Sequence, residues 1–389
     1  MNPNVITVKR AGRLIDWMAG ESLHAKRVQS LTNAVVGVVN AVSLSIHAIG
    51  AGLAQATGLN AKHAIKHVDR LLSNSALSVW AVFAHWVPYV LAATKEIVVA
   101  LDWTDFDADG HSTIALYLVT AHGRATPLVW KSVKKSKLKG RRNVYEDAVL
   151  LRLHEILPPG VKVTVLADRG FGDKKLYALL THLGFDFIIR FRGDVIVESR
   201  EGAVRPASEW VPPNGKVRQL AGARGTRDRY ALDRVVCVKA RGMKDPWCLA
   251  VRGDTLTGAT AVKLYSRRFT IEETFRDTKD PRYGLGLSAT HVRDVGRRDR
   301  LLLICAMAMT LLTVLGAAGE SLGMDRMLKA NTVKKRTHSL FRQGCHYYAS
   351  IPAMKQELLD PLVQRFGEYL FREPVYVRLS AHRAVDIRW

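Results

Sequence analysis

The chain has 389 residues, 48% of them hydrophobic, with 58 Lys and Arg against 35 Asp and Glu and a formal net charge of +23. That is ample material for a core and for roughly two or three domains, which excludes a chain that stays unfolded for want of apolar residues. The charge does not set a fold, but it sets a positive field that suits a polyanion: nucleic acid first, an anionic membrane surface second. The cysteines, Cys237, Cys248, Cys305 and Cys345, form no C-x-x-C or C-x-x-H arrangement, which argues against a structural zinc site. Free thiols in a reducing cytoplasm are the expected state, and the opening MNPNVITVKRAGRLIDW has no apolar signal core.

Residues 1–94 read as helical. In GLNAKHAIKHVDRLL, 58–72, Gly58 makes a turn and Asn60 is a good N-cap. Ala64, Ile65, Val68, Leu71 and Leu72 form an apolar face, while Lys62, Lys66 and Arg70 repeat every four residues along another. With the preceding helix, ending near Gln55, this suits a helix-turn-helix whose second helix enters a DNA groove. A solvated basic face on a bundle is the competing reading.

From 95 to 193 the pattern is α/β. EIVVALDWTDF, 96–106, is an apolar strand that ends on Asp102, and strands follow near 112–121 and 123–133. The loop after them holds Lys134, Lys135, Lys137, Lys139, Arg141 and Arg142, a basic run expected to lie along a DNA backbone. NVYEDAVLLRLHEIL, 143–157, is an amphipathic helix, VKVTVLADRGF a buried strand ending on Asp168, DKKLYALLTHLG a helix and FDFIIRFRGD a further strand. Residues 194–256 are short strands broken by Gly, Pro and Arg and read as a β-rich insertion. Residues 257–319 hold a charged helix and then the uncharged LLLICAMAMTLLTVLGAAG, 301–319, nearly long enough to span a bilayer. A buried core helix is the expected reading. Residues 320–389 read as helical and basic.

The charged helix carries the most specific pattern. In YSRRFTIEETFRDTK, 265–279, one continuous helix puts Tyr265, Arg268, Glu272 and Lys279 at about 0°, −60°, −20° and −40°, a single narrow arc. Glu273 points about 100° away from Glu272. Asp102 and Asp168 close two apolar strands, where active groups of open α/β sheets gather. An Asp in that place also commonly caps a turn, and Asp105, Asp107 and Asp173 are nearby rivals. With Glu272, three hard oxygen ligands on three rigid elements suit Mg²⁺ or Mn²⁺. Two such ions activate a nucleophile and stabilise a leaving oxygen at one phosphodiester.

The spacing Y-x2-R-x3-E-x6-K resembles the YREK signature of bacterial insertion-sequence transposases of the DDE type, the group named after insertion sequence four. LDWTDF resembles their first-Asp motif and LADRGFGD their second; RYGLGLS, RRDRLLLICAMA and SLFRQG also fit. The resemblance covers roughly residues 60–345. It implies an RNase H-like catalytic core in two parts, 95–193 and 257–319, with the β-rich insertion between. Asp102, Asp168 and Glu272 would hold two divalent ions, and Tyr265, Arg268 and Lys279 the DNA phosphate. Cut-and-paste chemistry through a hairpin is implied, with Trp247 stacking on a flipped base. For Trp247 a core role on a β-strand is the competing reading, and Trp210 is the poorer candidate.

The expected partners are double-stranded DNA, at the terminal inverted repeats and the target, and a second copy of the chain in the synaptic complex; a membrane is not expected. The expected location is the bacterial cytoplasm. Two other readings stay open: a catalytically silent DNA-binding regulator derived from a transposase, and a nuclease of the same core that only hydrolyses.

Overall fold

The computed structural model describes residues 6–19, 23–226 and 228–371. The C-terminal part of the expected 320–389 helical region, from 372 onward, lies outside the described residues.

Five helices come first: α1 (Val8–Ala19), α2 (Ala25–Ala41), α3 (Ile46–Thr57), α4 (Ala61–Ser73) and α5 (Val79–Leu91). The turn between α3 and α4 forms as its residues dictate. Gly58 takes a left-handed conformation (φ 74°) after α3, and the Asn60 side chain accepts from Lys62 N at the start of α4. Ala64, Val68, Leu71 and Leu72 are buried, which leaves Lys62, Lys66 and Arg70 exposed.

A sheet follows. Its strands are β1 (Glu96–Phe106), β2 (His111–Val119), β3 (Ala125–Lys134), β4 (Lys162–Ala167) and β5 (Asp186–Phe191), with α6 (Arg142–Ile156) between β3 and β4 and α7 (Lys174–His182) between β4 and β5. β1–β2–β3 is an antiparallel meander, whereas β4 and β5 add in parallel on the other side of β1. The order β3-β2-β1-β4-β5 with helical crossovers is an RNase H-like core. All nine residues of β2 are buried, as expected of a strand covered on both faces.

The segment after β5 contains β6 (Ile196–Glu198), β7 (Val204–Pro206), β8 (Arg218–Ala221), β9 (Arg224–Gly225), β10 (Tyr230–Ala231), β11 (Arg234–Val238) and β12 (Trp247–Arg252). It is not set apart from the core as the word insertion suggests. β12 pairs with β5, and β11 and β8 continue outward, so the main sheet has eight strands, β3-β2-β1-β4-β5-β12-β11-β8. The apolar run of β12 is buried from Trp247 to Val251, and burying it requires the backbone pairing that the edge of β5 supplies. Only β6, β7, β9 and β10 form a separate small sheet.

α8 (Gly258–Ser266) and α9 (Thr270–Lys279) lead into α10 (Val295–Ser321), α11 (Leu340–Ser350) and α12 (Gln356–Phe371). α10 is long and apolar enough to cross a bilayer, but its apolar window is wholly buried in the fold, packed against β3, α2, α4, α11 and α12. It crosses α11 at backbone contact: a Cβ on Gly316 would stand 1.9 Å from Leu340 O, and one on Gly344 1.8 Å from Leu312 O. Gly344→Ala therefore forces the helices apart, at a cost of about 2 kcal/mol. Calorimetry should show the melting temperature falling by several degrees; an unchanged transition would mean the crossing can relax.

Candidate active site

The register of β1 and β4 brings the two strand Asp residues together. The parallel ladder ends on the pair Leu101↔Ala167, so Asp102 and Asp168 are the next residues on neighbouring strands, whose axes lie about 4.8 Å apart. Asp102 is not at the end of its strand. β1 runs on to Phe106 because β2 keeps pairing with it, Asp102 opposite Ala115, after β4 has turned away. Asp102 thus marks the end of the parallel pairing. Asp168 also caps the turn after β4, its Oδ1 accepting from Gly170 N at 2.8 Å. Asp102 Oδ1 accepts from Trp103 N at 2.8 Å, and the Trp103 indole donates to Glu146 Oε1 at 2.8 Å, tying this stretch of β1 to α6.

Glu272 arrives on α9. The expected single helix over 265–279 is broken: Tyr265 lies in the last turn of α8, Arg268 in a 3-10 turn over 267–269, and Glu272 and Lys279 stand on α9. The break does not scatter the stripe. A buried seam fixes α9 against the sheet, with Ile271, Thr274, Asp277 and Thr278 inward. Thr274 Oγ1 accepts from Ala125 N at 2.9 Å and donates to Ala125 O at 3.0 Å, and Arg124 Nε donates to Asp277 Oδ2 at 2.5 Å. Glu273 turns away to Arg276 (3.1 Å) and Arg124 (4.0 Å).

Arg268 joins the parts. Its Nη1 is 3.1 Å from Asp102 Oδ2 and its Nη2 2.5 Å from Glu272 Oε1. The guanidinium side chain is 7% exposed, that of Asp102 17% and that of Glu272 46%, so the Asp102 contact is the shielded one. Burial pushes the Asp102 carboxyl up to about 6; Arg268 pulls the other way, and the negative charges of Asp168 and Glu272 add to the rise.

The remaining sequence candidates divide. Lys279 Nζ donates to Asp105 O (2.7 Å) and Thr104 Oγ1 (3.3 Å), laying its ammonium along β1 past Asp102. Tyr265 is 1% exposed, hydrogen-bonded to Arg268, its hydroxyl pushed up to about 12 by burial. Trp247 is 8% exposed, edge-on to Tyr265 at 4.9 Å. Neither ring has an open face in this conformation. Phe269, which the sequence did not single out, is 40% exposed beside them, 6.3 Å from Trp247 and 5.0 Å from the Arg268 guanidinium; its adjacency to Arg268 in the motif was the available signal. The rival carboxylates are engaged elsewhere: Asp105 with Ser112 and Lys135, Asp107 with Lys135, Asp173 as the cap of α7. Of the basic loop, Lys134, Lys137, Lys139, Arg141 and Arg142 are exposed. Arg142 lies 5.1 Å over the Trp103 ring, so the loop borders the strand that carries Asp102.

A family model described as transposase DDE domain matches residues 93–311. The chain belongs to this family. No curated protein matches the chain. The matched span holds every element of the transposase that carries Asp102, Asp168 and Glu272. Transposases of this family bind DNA and use divalent metal ions. Among the described residues no three His, Cys, Asp or Glu side chains converge tightly enough to cage a metal, and Arg268 spans two of the three carboxylates. The donor chemistry nonetheless fits a hard divalent cation. All three candidates are carboxylates, and the charges of Asp168 and Glu272 add to the rise that burial gives the Asp102 pKa.

Proposed function

We propose that this transposase cuts and joins DNA at the ends of an insertion sequence of the type named after insertion sequence four, with Asp102, Asp168 and Glu272 as catalytic and metal-holding residues. The observation that carries the reading is the β1–β4 register, which sets Asp102 beside Asp168, with Arg268 linking Asp102 to Glu272. Two Mg²⁺ or Mn²⁺ ions at these carboxylates would supply an activated water and neutralise the leaving oxygen.

The protein's own part is to hold the groups. Asp168 is fixed by the turn it caps, Asp102 by Trp103 N and Arg268, and Glu272 by the buried seam of α9. Lys279 offers an ammonium to the scissile strand, and Arg268 a guanidinium once a phosphate competes for it. Water attack at the transposon end frees a 3′-OH, which attacks first the opposite strand, closing a hairpin, and later the target. The basic loop and the exposed Lys62–Lys66–Arg70 face of α4 would follow the DNA backbone. Because two ends must be held at once, the working form is a dimer on DNA, in the bacterial cytoplasm.

The test is cleavage of a labelled duplex bearing the terminal inverted repeat, with Mg²⁺ or EDTA, followed by strand transfer from a pre-cut 3′-OH end. Metal-dependent nicking and joining are expected. Nicking without joining would make the protein a nuclease, and tight binding with no cleavage under any metal a regulator.

The hairpin step adds a second expectation. A base extruded beside Arg268 would meet Phe269 before Trp247, since only Phe269 presents an open face. Phe269→Ala should cut hairpin yield about tenfold, from the loss of one to two kcal/mol of stacking, while first-strand nicking changes little. Normal hairpin yield in this variant, read on a denaturing gel, would return the role to Trp247.

A further inference from the structure

Beside the candidate site lies a cavity of about 490 Å³, bounded by the β1–β2 turn, the end of β3 and the segment that precedes α10. Its wall includes Asp109, His111, Lys134, Lys135, His291 and Arg293. We propose that this cavity binds a phosphate of the DNA backbone flanking the cut; the proposal rests on the DNA-cutting reading above.

The charges on the wall do not cancel. Asp109 is its one carboxylate, and it is taken by Arg298, whose side chain is 0% exposed and whose Nη1 has no protein partner among the described residues. His291 Nδ1 lies a further 3.8 Å from Asp109. Lys135 is held by Asp105 (3.0 Å) and Asp107 (2.5 Å). Lys134 and Arg293 are exposed, and neither side chain makes an ion pair among the described residues. One ammonium and one guanidinium therefore face the cavity without a counter-charge, a point charge and a fork of the kinds that take phosphate oxygens.

The wall is also pre-organised. Arg298 Nε donates to His111 Nδ1 at 3.1 Å, and His111 is in turn hydrogen-bonded to the backbone of Arg293. Lys135 N donates to Gly110 O at 2.8 Å, fastening the β1–β2 turn to the end of β3. A buried arginine thus sets the height of Arg293, and the turn sets that of Lys134, before any ligand arrives. An anion at this place pays little ordering cost.

Position selects DNA over a free anion. The cavity opens at the far end of β1, four residues beyond Asp102, about 13 Å along the strand. That is close to four base-pair rises of a duplex. Lys279 and Lys135 lie against β1 between the two places, so one backbone running from the carboxylates passes cations all the way.

The experiment measures binding of the full chain to a 30-base-pair duplex bearing the terminal repeat, by fluorescence anisotropy between 50 and 200 mM NaCl. Lys134→Gln/Arg293→Gln is compared with wild type and with Lys162→Gln, a lysine 80% exposed at the opposite end of the sheet. Losing this phosphate contact should flatten the slope of log affinity against log salt by about 0.9. The variant's deficit is then about threefold larger at 50 mM than at 200 mM. Lys162→Gln should keep the wild-type slope. An unchanged slope in the double variant overturns the proposal, and wild-type nicking would still leave the active-site reading standing. If the slope is unchanged but radiolabelled inorganic phosphate binds wild type and not the variant, the cavity takes free phosphate and the DNA assignment fails. Absence of duplex binding by wild type would overturn both.

Discussion

Asp102→Asn is expected to do two opposite things: lower metal-dependent nicking by at least about 10³-fold, and stabilise the metal-free protein at neutral pH. The first follows if Asp102 holds a divalent ion, because an amide carries no charge to offer it. The second follows from burial. The Asp102 carboxyl is lifted from 3.8 to about 6, chiefly by desolvation and then, against the pull of Arg268, by Asp168 and Glu272. A carboxyl whose pKa is raised by folding binds its proton more tightly in the native state. The stability this contributes is fully present below about pH 4 and is lost as pH rises through about 6. The interval is worth about 3 kcal/mol at most. Asparagine stays neutral throughout, so its advantage should be largest at pH 7 in EDTA and vanish at pH 4. Urea denaturation at the two pH values measures it; equal differences at both would remove the electrostatic account. The same competition between proton and cation predicts Mg²⁺ affinity falling as pH drops through about 6.

Arg268→Met should be the most damaging single change in the site to the metal-free fold. The guanidinium is the cation between Asp102 and Glu272, and removing it leaves the shielded Asp102 carboxylate without a partner. Breaking a buried pair from one side costs about 3–5 kcal/mol. Most of that belongs to Asp102, since Glu272 is nearly half exposed and screened by water. The loss should shrink at pH 4, where Asp102 takes a proton. Millimolar Mg²⁺ should restore part of the lost melting temperature, and restore more in the variant than it adds to wild type, because the divalent ion replaces the missing charge. Arg268→Lys should fall between, as one ammonium does not reproduce a fork spanning 3.1 and 2.5 Å. Thermal melts in EDTA and in Mg²⁺ decide it. A methionine variant as stable as wild type at pH 7 would mean that Arg268 is free to serve the DNA phosphate alone.

The cap and turn at Gly58–Asn60, the core strands and the buried α10 follow from local rules that a sequence displays: periodicity, capping residues and apolar runs long enough to need a partner; the RNase H-like order was implied by the motif resemblance. The stripe of Tyr265, Arg268, Glu272 and Lys279 was legible for the same reason, since residues three, four and seven apart meet on one helical face. Local rules did not locate the 3-10 break at 267–269, which separates α8, packed on β5 and β11, from α9, packed on β1, β2 and β3.

Other features depend on which strand meets which, and pairing is non-local. That Asp102 lies in mid-strand, opposite Ala115, follows from β2 outlasting β4 as a neighbour of β1. The joining of β12, β11 and β8 to the main sheet follows from the open edge of β5. Lys134 and Arg293 are 159 positions apart; the sequence marks Lys134 as one of a basic loop suited to DNA and does not single out Arg293. They share a cavity because Arg298, hidden in the basic run before the apolar helix, turns inward to Asp109 and His111. Sequence alone settled the residue types and their local faces. The tertiary structure decided which of those faces meet, because a charge takes its meaning from its neighbours, and those neighbours come from distant parts of the chain.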